Sequence, residues 1–163
     1  ISFHKTEMLS DFVTYTKRKN IDIKDNFDLV LKLLLSSSVW FLKYLKQVNQ
    51  KIKLAEDNLE KSIKNEELQA LLQIEKCLVF FMTSLKGNDI LLHRIKNIKS
   101  QREHFDLDLL EDVEIELRQA QETTNIYSDI LTGTMDAYAS IISNNMNTIM
   151  KQMTSISIIE LYT

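Results

Sequence analysis

From Phe27 onward the apolar positions of this chain recur in alternating steps of four and three. Leu31, Leu35, Ser38, Leu42, Leu45, Asn49, Ile52, Glu56, Leu59 and Ile63 form one seam of period 3.5, with Asn49 and Glu56 as polar interruptions. That spacing predicts a helix of about 38 residues, some 57 Å long at 1.5 Å per residue. Residues 20–26 (NIDIKDN) read as the linker before it, with Asp25 or Asn26 as the capping side chain. Ahead of the linker lies a short amphipathic helix, itself preceded by the end of a short strand. Asn65 followed by Glu66 and Glu67 marks the start of another helix, since a cap and early negative charge suit a helix N-terminus. Its inward positions are Leu68, Leu71, Leu72, Leu78, Met82 and Leu85. Gly87 then predicts a stop, and a shorter helix over 90–102 continues the direction to the basic turn KNIKSQREH.

The last third, 106–163, reads as one uninterrupted helix that opens with Asp106, Asp108, Glu111 and Asp112. Its seam is Leu110, Val113, Leu117, Ala120, Thr124, Tyr127, Leu131, Thr134, Tyr138 and Ile141. A second stripe runs down another face: Asp129, Asp136, Ser140, Ser143, Asn147, Met150, Thr154 and Ser157. A core helix would carry Leu or Ile there. Small hydroxyls, an amide and carboxylates along one seam suit a wet channel shared between copies, whereas on a lone helix they are solvated charges. Gly133 costs the helix interior roughly 1 kcal/mol against Ala and lets backbones approach closely.

Composition agrees with long helices. With Pro 0 and Gly 2, the chain lacks the residues that turns and sheets require, so the fold class is all-α: a long antiparallel helical hairpin plus a very long, coiled-coil-like stalk helix. A net charge of −3 argues against a nucleic-acid partner. Cys77 is the single cysteine and reads as a structural thiol in a reducing compartment. No continuous run of eighteen apolar residues marks a membrane span. His4, His93 and His104 are scattered without metal-ligand spacing, and the SSS at 36–38 lacks nucleophile-elbow glycines. The chain carries no constellation of an enzyme. Its start at Ile1 and the apolar turn of its end point to a piece of a longer protein.

Three segments carry a resemblance. Residues 134–159 (TMDAYASIISNNMNTIMKQMTSISII) resemble the end of the stalk helix and the start of the first membrane helix in CorA-type magnesium channels. Residues 65–89 (NEELQALLQIEKCLVFFMTSLKGND) and 40–64 (WFLKYLKQVNQKIKLAEDNLEKSIK) are similar to the two arms of that family's cytosolic hairpin. The likeness spans 27–159 in the family order. It implies a remnant of the preceding αβα domain over 1–25, the hairpin over 26–104 and the stalk over 105–163. It further implies a homopentamer on the cytoplasmic face of the cell membrane, anchored by C-terminal helices that this chain lacks, and carrying Mg²⁺ and also Co²⁺ or Ni²⁺. By position, Asp136 faces the ion path. Asn147, Met150 and Met153 line its constriction, and Asp112 matches the stalk carboxylate of a regulatory Mg²⁺ site.

The departures are equally specific. The Gly-Met-Asn selectivity motif is absent, and so are both complete membrane helices and the domain that would complete the site at Asp112. Glu160 also interrupts the expected apolar run. On that pattern the polypeptide as it stands does not conduct ions. A competing reading is a soluble coiled-coil scaffold in which buried Asn sets register. It accounts for the heptads but not for the Ser, Thr and Asn gathered at the C-terminal end.

Overall fold

The computed structural model describes residues 5–59, 61, 65–99 and 106–162, and all the regular structure in them is helical. The elements are α1 (Glu7–Lys19), α2 (Asn26–Leu59), α3 (Asn65–Lys99) and α4 (Leu107–Tyr162). The expected strand end at the start of the chain lies outside the described residues, as do His4 and His104; of the expected basic turn over 96–104, residues 96–99 continue α3 and 100–104 lie outside the described residues.

Local chemistry explains the helix ends. Thr6 caps α1 by accepting from the Leu9 N–H, and Asn20 closes it in the left-handed region at φ 50, which a short polar side chain tolerates. Asp25 caps α2 through the Asp28 N–H at 2.8 Å, while the Asp28 carboxylate reaches back to the Lys24 N–H at 2.9 Å. Lys32 then bonds the same carboxylate at 2.7 Å. Burial alone would push the Asp28 carboxyl up, but these bonds and the positive charge of Lys32 outweigh it and hold it below the ordinary value. At α4 the cap is Asp106, which accepts from the Leu109 N–H at 3.0 Å.

The three long helices bury residues at a spacing of seven. On α2 these are Leu31, Ser38, Leu45 and Ile52; on α3, Leu71, Leu78, Leu85 and Leu92; on α4, Leu110, Leu117, Thr124, Leu131 and Tyr138. A strict seven-residue repeat keeps the seam turned inward only if the helices wind left-handedly about one another. Cross-helix bonds set the directions. Lys96 pairs with Glu114, and Gln121 donates to the Leu85 carbonyl at 3.4 Å, so α3 runs antiparallel to α4. Leu31 shares a cluster with Leu110, while Thr134 bonds Glu56 at 2.8 Å, so α2 and α4 run parallel.

The core has two parts. Leu31, Leu34, Leu85, Leu92, Leu110 and Leu117 anchor one end, and Leu45, Ile52, Leu71, Leu78, Leu131 and Tyr138 the other. Between them in the heptad series stand the fully buried Ser38 and Thr124. Their hydroxyls bond back to the Leu34 and Ala120 carbonyls at 3.0 and 2.7 Å, which meets the cost of burying a polar group.

Two expectations are corrected. Gly87 does not stop a helix: α3 passes through it, and no glycine has positive φ. A mid-helix Gly costs only about 1 kcal/mol, less than the burial of Leu85, Leu92 and Ile95 on either side of it contributes. Leu72 points outward at 39% exposure, since the inward slot belongs to its neighbour Leu71. By length and composition α3 is also apolar enough to cross a membrane, and only 22% of its most apolar stretch is buried among the described residues.

Short α1 has no buried residue and lies against α2. The Trp40 indole donates to Asp11 at 3.1 Å, and the Tyr44 phenol stands 3.5 Å from the Glu7 carboxylate. A groove of about 450 Å³ opens between α1, α2 and the start of α4, walled by Phe12, Ile21, Leu35, Trp40 and Leu109.

Candidate functional site

The last buried residue of α4 is Tyr138, and Ile141 is half-buried. Beyond it every residue from Ile142 to Tyr162 is exposed, a stretch of about six turns with no partner helix among the described residues. Helical structure persists there although none of the described residues buries it. The side chains are apolar and small at once: Met150 is 62% exposed, Met153 63%, and Ile149, Ile156 and Ile159 are exposed among Ser, Thr and Asn. Thr148, Thr154 and Ser157 each bond their own backbone four residues back, at 2.9–3.0 Å, so those hydroxyls sit along the helix rather than reaching outward.

The stripe singled out in the sequence lies opposite the buried seam. At about 100° per residue, Asp129, Asp136, Ser140, Asn147 and Met150 fall on a face roughly 140° from Leu131. All are exposed. Among the described residues, no hydrogen bond or ion pair within the chain engages the side chains of Asp129, Asp136 or Asn147. The hairpin therefore covers one side of α4 and leaves this one open along its length.

The other two candidates stand elsewhere on α4. Met153 lies about 60° around the helix from Met150, at the flank of the stripe. Asp112 lies about 120° around from Asp136, in a groove between α2 and α4 with Leu35, Val39, Ile115 and Glu116. Among the described residues no three His, Cys, Asp or Glu side chains come together as a metal cluster. Asp112 and Glu116 offer two carboxylates, while Mg²⁺ takes six oxygens and keeps several as water. An ion at Asp112 would therefore need ligands from outside this chain or contacts through its own waters.

Sequence reading missed the junction where the hairpin grips the stalk beside Asp136. Thr134 donates to Glu56 at 2.8 Å and the fully buried Tyr138 donates to the Ala55 carbonyl at 3.1 Å, with Glu67 at 3.5 Å. Burial first, and then the Glu67 charge and hydrogen bond, push the Tyr138 phenol up. The signal available beforehand was Glu56, a polar break in an otherwise apolar seam.

Comparison with known proteins identifies the arrangement. The profile of the family described as CorA-like Mg²⁺ transporter protein matches residues 1–161. A solved structure described as the complete CorA magnesium transporter of Methanocaldococcus jannaschii is similar in fold, with a TM-score of 0.72 at 22% identity. The match covers 93% of this chain and 49% of that one, so the chain spans about half the length of the solved protein. No curated protein sequence matches.

Proposed function

The chain belongs to the CorA-like Mg²⁺ transporter family, and on that premise we propose that it is the cytosolic hairpin and stalk of a divalent-cation channel, with α4 lining the ion path. In this reading copies assemble as a pentamer about an axis parallel to α4, on the cytoplasmic face of the membrane. The domains divide as a remnant of a preceding domain over 1–25, the hairpin over 26–104 and the stalk over 105–163. Mg²⁺, and also Co²⁺ or Ni²⁺, passes down its gradient without ATP.

One observation carries the proposal. The polar stripe faces away from the chain's own core while Ile142–Tyr162 stays helical and uncovered. In a ring of copies, Asp129 and Asp136 become rings of carboxylates that concentrate cations in the path. Asn147 offers amide oxygens to a hydrated ion, which suits Mg²⁺ because that ion gives up water reluctantly. Met150, with Met153 at the flank, narrows the path with apolar groups that exclude water when closed. Asp112 supplies one carboxylate of a regulatory Mg²⁺ site completed by a neighbouring protomer. Ions bound there bridge groups that otherwise repel, which favours the closed state; their loss shifts the population toward the open one. A scaffold reading explains the heptads alone and leaves the stripe without a role.

The test is Mg²⁺ flux in the full-length protein carrying Met150→Asp. A carboxylate ring at the constriction wets the gate, so the expected result is flux that persists at high internal Mg²⁺. Unaltered flux and unaltered Mg²⁺ inhibition would remove Met150 from the path and the proposal with it.

A further inference from the structure

Two hydroxyls on the last buried turns of α4 each have a single proton and two acceptors. Thr134 Oγ1 stands 2.8 Å from the Glu56 carboxylate of α2 and 3.0 Å from the Ile130 carbonyl of its own helix. Tyr138 Oη stands 3.1 Å from the Ala55 carbonyl of α2 and 3.5 Å from the Glu67 carboxylate of α3. Both residues are buried, Tyr138 completely, so a hydroxyl left without an acceptor would be costly. A second acceptor removes that cost, because each proton can change partner and stay bonded. The other buried hydroxyls of the seam differ. Among the described residues, Ser38 and Thr124 bond only the Leu34 and Ala120 carbonyls of their own helices.

The two exchanges point the same way. Each gives up an acceptor on α2, Glu56 or Ala55, and keeps one on α4 or α3. A state in which both protons have moved therefore frees the end of α2, while α3 stays joined to the stalk at Tyr138. Packing permits that movement. Ile52 is the last buried residue of α2 among the described residues, whereas α3 has Leu71 fully buried in the cluster that holds Tyr138. Glu56 is exposed, so its carboxylate passes into water when it lets go. A groove of about 470 Å³ also lies between α2 and α3 at this end, bounded by Leu54, Asn58, Glu67, Ile74 and Cys77. The end of α2 thus has room to shift without disturbing α3.

We propose that Thr134 and Tyr138 form a two-position latch on the end of α2, engaged through Glu56 and Ala55 and released onto Ile130 and Glu67. Release loosens the support of α4 just above the uncovered stretch Ile142–Tyr162. The inference rests on the reading of α4 as the helix that lines the ion path, and it adds a regulatory element to that reading. The engaged latch gives α4 its fullest support and holds the closed arrangement that Mg²⁺ favours; release lets the uncovered end tilt. Both positions keep the two hydroxyls bonded. A modest difference in ion binding between the closed and open arrangements is then enough to shift the population from one position to the other.

Distances between paired spin labels test this in the full-length protein, with Cys77→Ser as background and labelled copies diluted among unlabelled ones. Asp57→Cys with Ala139→Cys spans α2 and the stalk, and Gln69→Cys with Ala139→Cys spans α3 and the stalk; all three positions are exposed. In Mg²⁺ each pair should give one distance. Removing Mg²⁺ should add a second, longer distance for the α2 pair alone. Glu56→Ala deletes an acceptor of the engaged position, so the longer distance should dominate even in Mg²⁺. Glu67→Ala deletes an acceptor of the released position and should suppress the longer distance without Mg²⁺. Flux should follow, with the half-inhibiting internal Mg²⁺ several-fold higher in Glu56→Ala and lower in Glu67→Ala. One unchanging α2 distance in the unsubstituted protein and both variants overturns the latch, whether or not the protein carries ions. A shift of both variants in the same direction, as a merely structural contact would give, also overturns it. Opposite shifts with Mg²⁺ inhibition unaltered overturn its link to the gate. Absence of Mg²⁺ flux in the unsubstituted protein removes the ion-path reading, and the two variants' distances still decide the latch.

Discussion

The phenol of Tyr138, on the last buried turn of α4, donates to the backbone carbonyl of Ala55 at the far end of α2, 3.1 Å away. The two residues are 83 apart in the chain. This bond, with Thr134 to Glu56, fixes the height at which the hairpin ends on the stalk. Removing the hydroxyl alone should therefore cost stability without opening a cavity. Tyr138→Phe is expected to lose about 1 kcal/mol, and Tyr138→Ala about 3–5 kcal/mol, in denaturant unfolding. A loss in Tyr138→Phe no larger than that of a surface change would remove the bond from the account of the fold.

Alkaline pH should act at the same place. Burial and the Glu67 charge raise the Tyr138 phenol above its usual value near 10, so the folded state holds that proton more tightly than the unfolded one. Its contribution is complete below about pH 10 and fades as pH rises through the elevated value. Tyr138→Phe should flatten this part of the stability profile, as read by thermal melts between neutral and strongly alkaline pH.

Acid should loosen the opposite end. Asp28 is buried at the start of α2, and bonds from Lys32 and the Lys24 N–H hold its carboxyl below the ordinary value despite desolvation. A depressed folded value means the stabilisation is present above about pH 3.9 and is lost as pH falls further. Asp28→Asn should cut stability at neutral pH and reduce the acid-dependent loss. An unchanged acid limb would assign that loss to other carboxylates.

The inward and outward leucines of α3 should separate cleanly. Leu85→Ala empties a fully buried site and is expected to cost about 2–5 kcal/mol, whereas Leu72→Ala, at an exposed site, should stay within about 1 kcal/mol. Equal costs would contradict the register of α3.

Glycine replacement gives a stability gain where most substitutions give losses. Gly87→Ala adds a Cβ into open space on a helix, so the folded chain should gain up to about 1 kcal/mol. The measurement is the melting temperature, which should rise in Gly87→Ala. A lowered melting temperature would contradict the open space around Gly87.

Much of this was legible in the order of residues. The seam from Leu110 to Tyr138 predicts the buried face of α4 because a helix repeats its faces every three to four positions, and tertiary packing did not override that. The caps at Asp25 and Asp106 follow from side-chain chemistry within three residues. Gly87 misled because a glycine ends a helix only when the chain turns left-handed there, and the heptad from Leu85 to Leu92 gains more by continuing. Leu72 misled because adjacent leucines compete for one inward slot. Glu56 with Thr134, and Ala55 with Tyr138, depend on the relative height of α2 and α4, which no local pattern encodes. The stripe of Asp136, Asn147 and Met150 was visible as a pattern. What faces it was not, because the opposing surface belongs to another molecule in the proposed assembly.

The uncovered part of α4 is mechanically a lever, held at Tyr138 and unsupported by the other described residues for about 30 Å beyond it, so a tilt of about 5° at that hold moves Tyr162 through about 3 Å. That displacement is comparable to the diameter of a water molecule. A small rearrangement of the hairpin can thus be magnified at the far end of the rod without bending any helix, and the stiffness of Ile142–Tyr162 matters as much as its chemistry.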